Sequence, residues 1–138
     1  TYIMKTTKAI IERGNDGEYS IYTPNLERTT IIGEGKTVEE AKEDFEICYQ
    51  EILDCYRESN ESIPEELQEL QFEYEYDVSS MLNEAPFLNV SATAKYIGIN
   101  PSLMRQYKRG QSVSKAQMLK IQNGIRAIGR KLASITLV

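Results

Sequence analysis

Histidine does not occur in this 138-residue chain. Its absence excludes His-dependent triads, imidazole acid-base catalysis and His-ligated metal sites together. Cysteine is scarce: Cys48 and Cys55 are the only two. Seven residues apart in what reads as a helix, they are separated by about 10 Å along the axis. They cannot bridge to each other, and the expected state is two buried thiols in a reducing compartment. Apolar runs fall far short of the roughly 20 residues of a membrane span, and no signal-peptide pattern opens the chain. The expectation is a soluble, cytoplasmic protein.

Acidic residues are almost missing from one half. Residues 81–138 hold a single acid, Glu84, against nine Lys/Arg, whereas residues 1–80 hold twenty Asp/Glu against seven Lys/Arg. Net charges of +8 and −13 are thus concealed within an overall −5. A basic face releases counterions from nucleic acid; an acidic face repels it and suits a basic protein. This break, with a change of pattern near Asp77, predicts two domains, 1–76 and 77–138. Units this small are marginally stable, so docking or oligomerisation is expected.

The first half reads as β-β-β-α-β. Tyr2–Arg13 is strand-like, and Gly14-Asn15-Asp16-Gly17 closes a hairpin with Glu18–Thr23. Pro24-Asn25 turns the chain, Arg28–Ile32 is β-branched and predicts a third strand, and Gly33-Glu34-Gly35 ends the meander. Thr37 to Glu40 has the form of a capping box for a helix reaching about Arg57. Val38, Ala41, Phe45, Cys48, Ile52 and Cys55 form its apolar stripe. The outer face carries Glu39, Glu43, Glu46 and Asp54. After a helical turn led by Pro64, Phe72–Tyr76 alternates aromatic and acidic residues, as a strand with one wet face does.

The second half starts with a short helix over 77–82, capped by Asp77 or Ser79 and broken at Pro86. Asn89–Ile97 is a second helix with Val90, Ala94 and Ile97 inward, Gly98 supplies a corner, and Asn100-Pro101 is a strong helix start. That helix runs to about Arg109. The spacing is that of a helix-turn-helix and resembles the Cro/repressor class over Asn89–Gly110. In this register Ile99, Met104 and Tyr107 point inward. Ser102, Leu103, Arg105 and Gln106 lie outward, where Arg and Gln suit bidentate contact with base edges. Lys95, Lys108 and Arg109 suit phosphates, which position without specifying. The alternative is an ordinary surface helix with solvated cations. From Ser114 a long helix carries Met118, Ile121, Ile125, Ile128, Leu132 and Ile135, either as a core face or as a dimer seam. Residues 135–138 can also pair as a short strand.

Gly17-Glu18-Tyr19, Pro24-Asn25-Leu26 and Gly35-Lys36-Thr37-Val38-Glu39-Glu40-Ala41 resemble the HicB antitoxin pattern G-x-Y…P-x-L…G-x-T-x-E-E-A over roughly residues 1–76. Glu27-Arg28 replaces its usual Pro-Gly. The resemblance implies an α+β N-terminal domain with a partial RNase H-like fold, followed by an all-α helix-turn-helix domain. It implies the antitoxin of a type II toxin-antitoxin pair, whose acidic domain binds a small basic RNA-cleaving toxin, HicA-like. Its helix-turn-helix would bind operator double-stranded DNA as a homodimer or higher homo-oligomer. The acidic face Glu39, Glu43, Glu46 and Asp54 is the first candidate for the toxin.

No enzyme activity and no cofactor are expected. RNase H-like nucleases place a carboxylate near the middle of the first strand to hold Mg²⁺, and here that stretch is Lys5-Thr6-Thr7-Lys8-Ala9. Glu12, Asp16 and Glu18 read better as a solvated hairpin tip than as a cation site. The rival function is a stand-alone DNA-binding regulator whose first domain oligomerises or senses a ligand.

Overall fold

In the computed structural model, which describes residues 5–138, β1 (Lys5–Arg13) alternates between buried Ala9 and Ile11 and more exposed neighbours. A strand with one apolar edge row needs a cover on that face only. The turn after it is fixed locally: Gly17 sits at φ 83°, its N–H donates to the Gly14 carbonyl (3.0 Å), and Asp16 Oδ1 accepts from the Glu18 N–H (2.9 Å). β2 (Tyr19–Tyr22) returns antiparallel with Ile11 opposite Ile21.

β3 occupies Ile32–Gly35, not the expected Arg28–Ile32. The glycines thought to end the strand are inside it, for a steric reason. A Cβ on Gly33 would lie 2.4 Å from the Phe45 nitrogen and 2.5 Å from the Ala41 carbonyl oxygen, and one on Gly35 would lie 2.6 Å from the Ala41 nitrogen. Glycine lets the helix lie directly on the strand. Of the β-branched run, Ile31 is buried, and its N–H donates to Thr23 Oγ1 (2.9 Å).

α1 (Val38–Glu58) starts where Thr37 Oγ1 accepts from the Glu40 N–H at 3.1 Å. The reciprocal half of the capping box is displaced by one residue: Glu40 takes the Lys36 N–H (3.0 Å). The buried stripe is Val38, Ala41, Phe45, Tyr49 and Leu53. Cys48 is only half-buried and Cys55 is exposed, which corrects the expectation of two buried thiols. Tyr49 wins the central position because its hydroxyl has partners there, donating to the Leu67 carbonyl (2.6 Å) and accepting from the Leu70 N–H (3.1 Å). A buried phenol needs such partners. Leu67 is held in a 3-10 turn (Glu65–Leu67) that leads into β4 (Leu70–Tyr76).

β4 lies parallel to β1, from Lys5 opposite Leu70 to Ile11 opposite Tyr76. The sheet order is therefore β3-β2-β1-β4, a mixed sheet with α1 packed on one face. Phe72 stands edge-on to both Phe45 (4.7 Å) and Tyr49 (5.3 Å), closing the core between helix and sheet. Edge-to-face pairs of this kind add about 0.5–1.5 kcal/mol beyond burial.

One compact unit ends at Ser80 and a second runs from Met81 to Val138. α2 (Val78–Glu84) begins under Asp77, whose Oδ1 accepts from the Ser80 N–H (2.8 Å). α3 (Val90–Ile97), α4 (Pro101–Arg109) and α5 (Lys115–Ala133) follow, so the fold is α+β with a four-stranded mixed sheet and five α-helices among the described residues. Residues 135–138 form neither helix nor strand. Among the described residues, no helix is long and apolar enough to cross a membrane. The expected strand residues Tyr2 to Met4 lie outside the described part.

Candidate functional site

Each end of α3 and α4 is set by a residue with a physical reason to be there. Asn89 Oδ1 accepts from the Ala92 N–H (2.9 Å) to open α3, and Gly98 closes it at φ 92°, a left-handed conformation that costs glycine little. Both the Gly98 and the Ile99 N–H donate to the Ala94 carbonyl at 2.8 Å, so the chain turns within two residues. Asn100 Oδ1 then accepts from Ser102 (2.8 Å) and Leu103 (3.3 Å), Pro101 occupies the first turn, and Gly110 ends α4 at φ 115°.

That corner fixes which face of α4 is available. Ile99, Met104 and Tyr107 are buried as expected. Ser102, Arg105, Gln106 and Arg109 are exposed, Leu103 and Lys108 are half-buried, and Lys95 is exposed on α3. Arg105 is held in place. Its two terminal nitrogens donate to Ser91 Oγ (2.8 Å) and Ser102 Oγ (3.0 Å), which leaves further guanidinium N–H donors for an acceptor outside the chain. Ser91 was not legible as a partner, because it sits 14 residues away on another helix. Lys120 was missed as well: its ammonium donates to the Gly98 carbonyl (2.9 Å) and ties α5 to the corner. The second half carries one acid, Glu84, against nine Lys/Arg.

The first unit presents the opposite charge. Glu39, Glu43, Glu46 and Asp54 are all exposed on α1, yet they are not equivalent. Asp54 pairs with Arg57 (3.0 Å) on the surface, where screening leaves such pairs little strength. Glu46 accepts from the Tyr74 hydroxyl (3.3 Å). Burial first, and then the Glu46 carboxylate, push the Tyr74 hydroxyl up to about 12. Lys42 lies 4.5 Å from the centre of the same ring, and Ile47 is exposed beside it in a shallow hollow. Elsewhere Glu66 accepts from the backbone N–H groups of Glu27 (3.0 Å) and Arg28 (2.8 Å), so the turn that departs from the HicB pattern is held by a carboxylate. The Arg28 and Glu27 N–H groups keep Glu66 below the usual carboxylate range.

The middle of β1 carries no carboxylate. Among the described residues, no group of three or more His, Cys, Asp or Glu side chains is placed to hold a metal ion. The two units differ in the sign of their charge, −13 over residues 1–80 and +8 over residues 81–138. Compared with protein-family models, curated proteins and solved structures, the chain matches none.

Proposed function

We propose that this chain is a HicB-type antitoxin and autorepressor: its acidic unit binds and neutralises a small basic RNA-cleaving toxin of the HicA type, and its basic unit binds operator DNA. In this reading α3 and α4 are a helix-turn-helix, with α4 entering the major groove. Arg105 and Gln106 read base edges with Ser102 and Leu103 beside them, and Lys95, Lys108 and Arg109 hold phosphates. In this reading the first unit, with its sheet order β3-β2-β1-β4, is a partial RNase H-like fold lacking a carboxylate in the middle of the first strand, and it acts by covering the toxin's RNA-binding surface. Electrostatics would speed that association more than set its affinity.

The observation that carries the proposal is the division of −13 and +8 between two separately packed units, the second of which presents Arg105 on a capped, solvent-facing helix. A single helix-turn-helix contacts little DNA, so the repressor is proposed to act as a homodimer, with half-sites about 34 Å apart. The reading requires a small basic protein encoded beside this chain, and co-expression with that neighbour tests it. Growth arrest by that neighbour should be relieved, and persistence of the arrest would overturn the antitoxin assignment. Salt-independent DNA binding would overturn the repressor half.

A further inference from the structure

With α1 on one face of the sheet, the register states what the other face carries. Ile10 lies opposite Tyr22 and Tyr22 opposite Ile32, so these three form one row across β1, β2 and β3, continued on β4 by Glu75 opposite Ile10. The next row runs from Glu12 through Ser20 to Glu34. On the other side Glu73 faces Lys8.

This face has an apolar centre and an acidic rim. Ile32 is 48 % exposed, and the Tyr22 ring is steadied on the sheet by its hydroxyl, which donates to Glu12 (3.0 Å). Four carboxylates, Glu12, Glu34, Glu73 and Glu75, surround a single ammonium, Lys8, which lies 3.4 Å from Glu75. A second copy laid face to face would set carboxylates against carboxylates, so charge selects a basic occupant. The outer face of α1 is a poorer dock. Carboxylates are engaged within the chain on both faces, Asp54 and Glu46 here and Glu12 and Glu75 on the sheet, but among the described residues the exposed large apolar side chains of α1 come down to Ile47 alone, with no apolar row beside it. A desolvated aromatic centre within a charged rim is the usual anatomy of a protein interface. Four strands at about 4.8 Å spacing over about 20 Å give a patch on the order of 300 Å², the centre of an interface of about 800 Å² per partner.

We infer that the helix-free face of the sheet, and not the acidic face of α1, is where this chain holds its basic protein partner, with Tyr22, Ile10 and Ile32 at the centre and the four glutamates meeting Lys and Arg at the rim. The inference rests on the antitoxin reading and adds the surface to it.

Titration calorimetry tests it, with the full chain and, as the probe, the small basic neighbour-encoded protein that the antitoxin reading requires. Ile32→Arg and the double variant Glu34→Lys/Glu73→Lys should each weaken binding by about 30-fold or more, as loss of an interface centre does. Glu39→Lys/Glu43→Lys on α1 should change it by less than about 3-fold. All substituted side chains are exposed, and unchanged circular dichroism and melting would confirm that the variants fold. If both sheet-face variants fold and bind within about tenfold of the parent, the inference fails while the antitoxin reading survives. If the parent itself does not bind the probe, the reading fails and the inference with it.

Discussion

The guanidinium of Arg105 on α4 donates to the Ser91 hydroxyl on α3 at 2.8 Å, so the residue proposed to read a base is braced by the neighbouring helix. A braced side chain loses less freedom on binding. Arg105→Ala is expected to cost about 1–3 kcal/mol of operator affinity and to relax sequence preference. Ser91→Ala should reproduce part of that loss, about 0.5–1.5 kcal/mol, the range of one hydrogen bond. Lys95→Ala should weaken all sequences alike and lower the salt slope by about 1. Anisotropy titrations on operator and scrambled duplexes over a salt series separate the three.

Two glycine substitutions should move stability in opposite directions. At Gly33 an added Cβ meets backbone atoms of α1 at 2.4 and 2.5 Å, which cannot yield without moving the helix off the sheet. Gly33→Ala should cost about 3 kcal/mol, at the upper end of overpacking. At Gly129, within α5, an added Cβ meets nothing within 4 Å. Gly129→Ala should gain up to about 1 kcal/mol from helix propensity. Urea midpoints measure both.

Stability should fall at both ends of the pH scale for identifiable reasons. The Tyr74 hydroxyl is raised from 10.0 to about 12 in the folded chain, so its contribution is complete below 10 and is lost as pH rises towards 12. Tyr74→Phe should flatten the alkaline limb of a pH–stability curve. Glu66 is lowered from 4.5, so its contribution is present above that value and is lost as pH falls through the lower folded one. Glu66→Ala should abolish that part of the acid limb and speed amide exchange at Glu27 and Arg28, whose N–H groups it accepts.

Leu132 and Leu137 are 62 % and 86 % exposed near the C-terminus. If the DNA-reading unit pairs through this end, Leu132→Glu should convert a dimer into a monomer in sedimentation experiments and cost operator affinity. A parent chain that sediments as a monomer at all concentrations would refute the pairing.

The second half was the more legible because its signals are local. Asn89, Gly98, Asn100-Pro101 and Gly110 each act within four residues, and they set the limits of α3 and α4 where capping chemistry places them. The errors arose where distant residues decide. Arg28–Ile32 has better strand composition than Ile32–Gly35, but only the close approach of Phe45 and Ala41 shows why glycine is required. The expected apolar stripe of α1 holds at Val38, Ala41 and Phe45 and, half-buried against the core, at Cys48 and Ile52, but Cys55 is exposed and the centre is taken by Tyr49, whose hydroxyl partners belong to residues 67 and 70. The same limit hid Ser91 behind Arg105.

The parallel pairing of β1 with β4 also orders events during synthesis. Lys5 has no strand to its β4 side until Leu70 has been made, and at about 5–20 residues per second that delay is several seconds. The first unit is then complete at Ser80, while the residues from Met81 to Val138 are still to come. On the proposed reading, a nascent chain acquires the means to disarm the toxin before it acquires the means to silence the genes, and protection precedes repression on every ribosome that makes it.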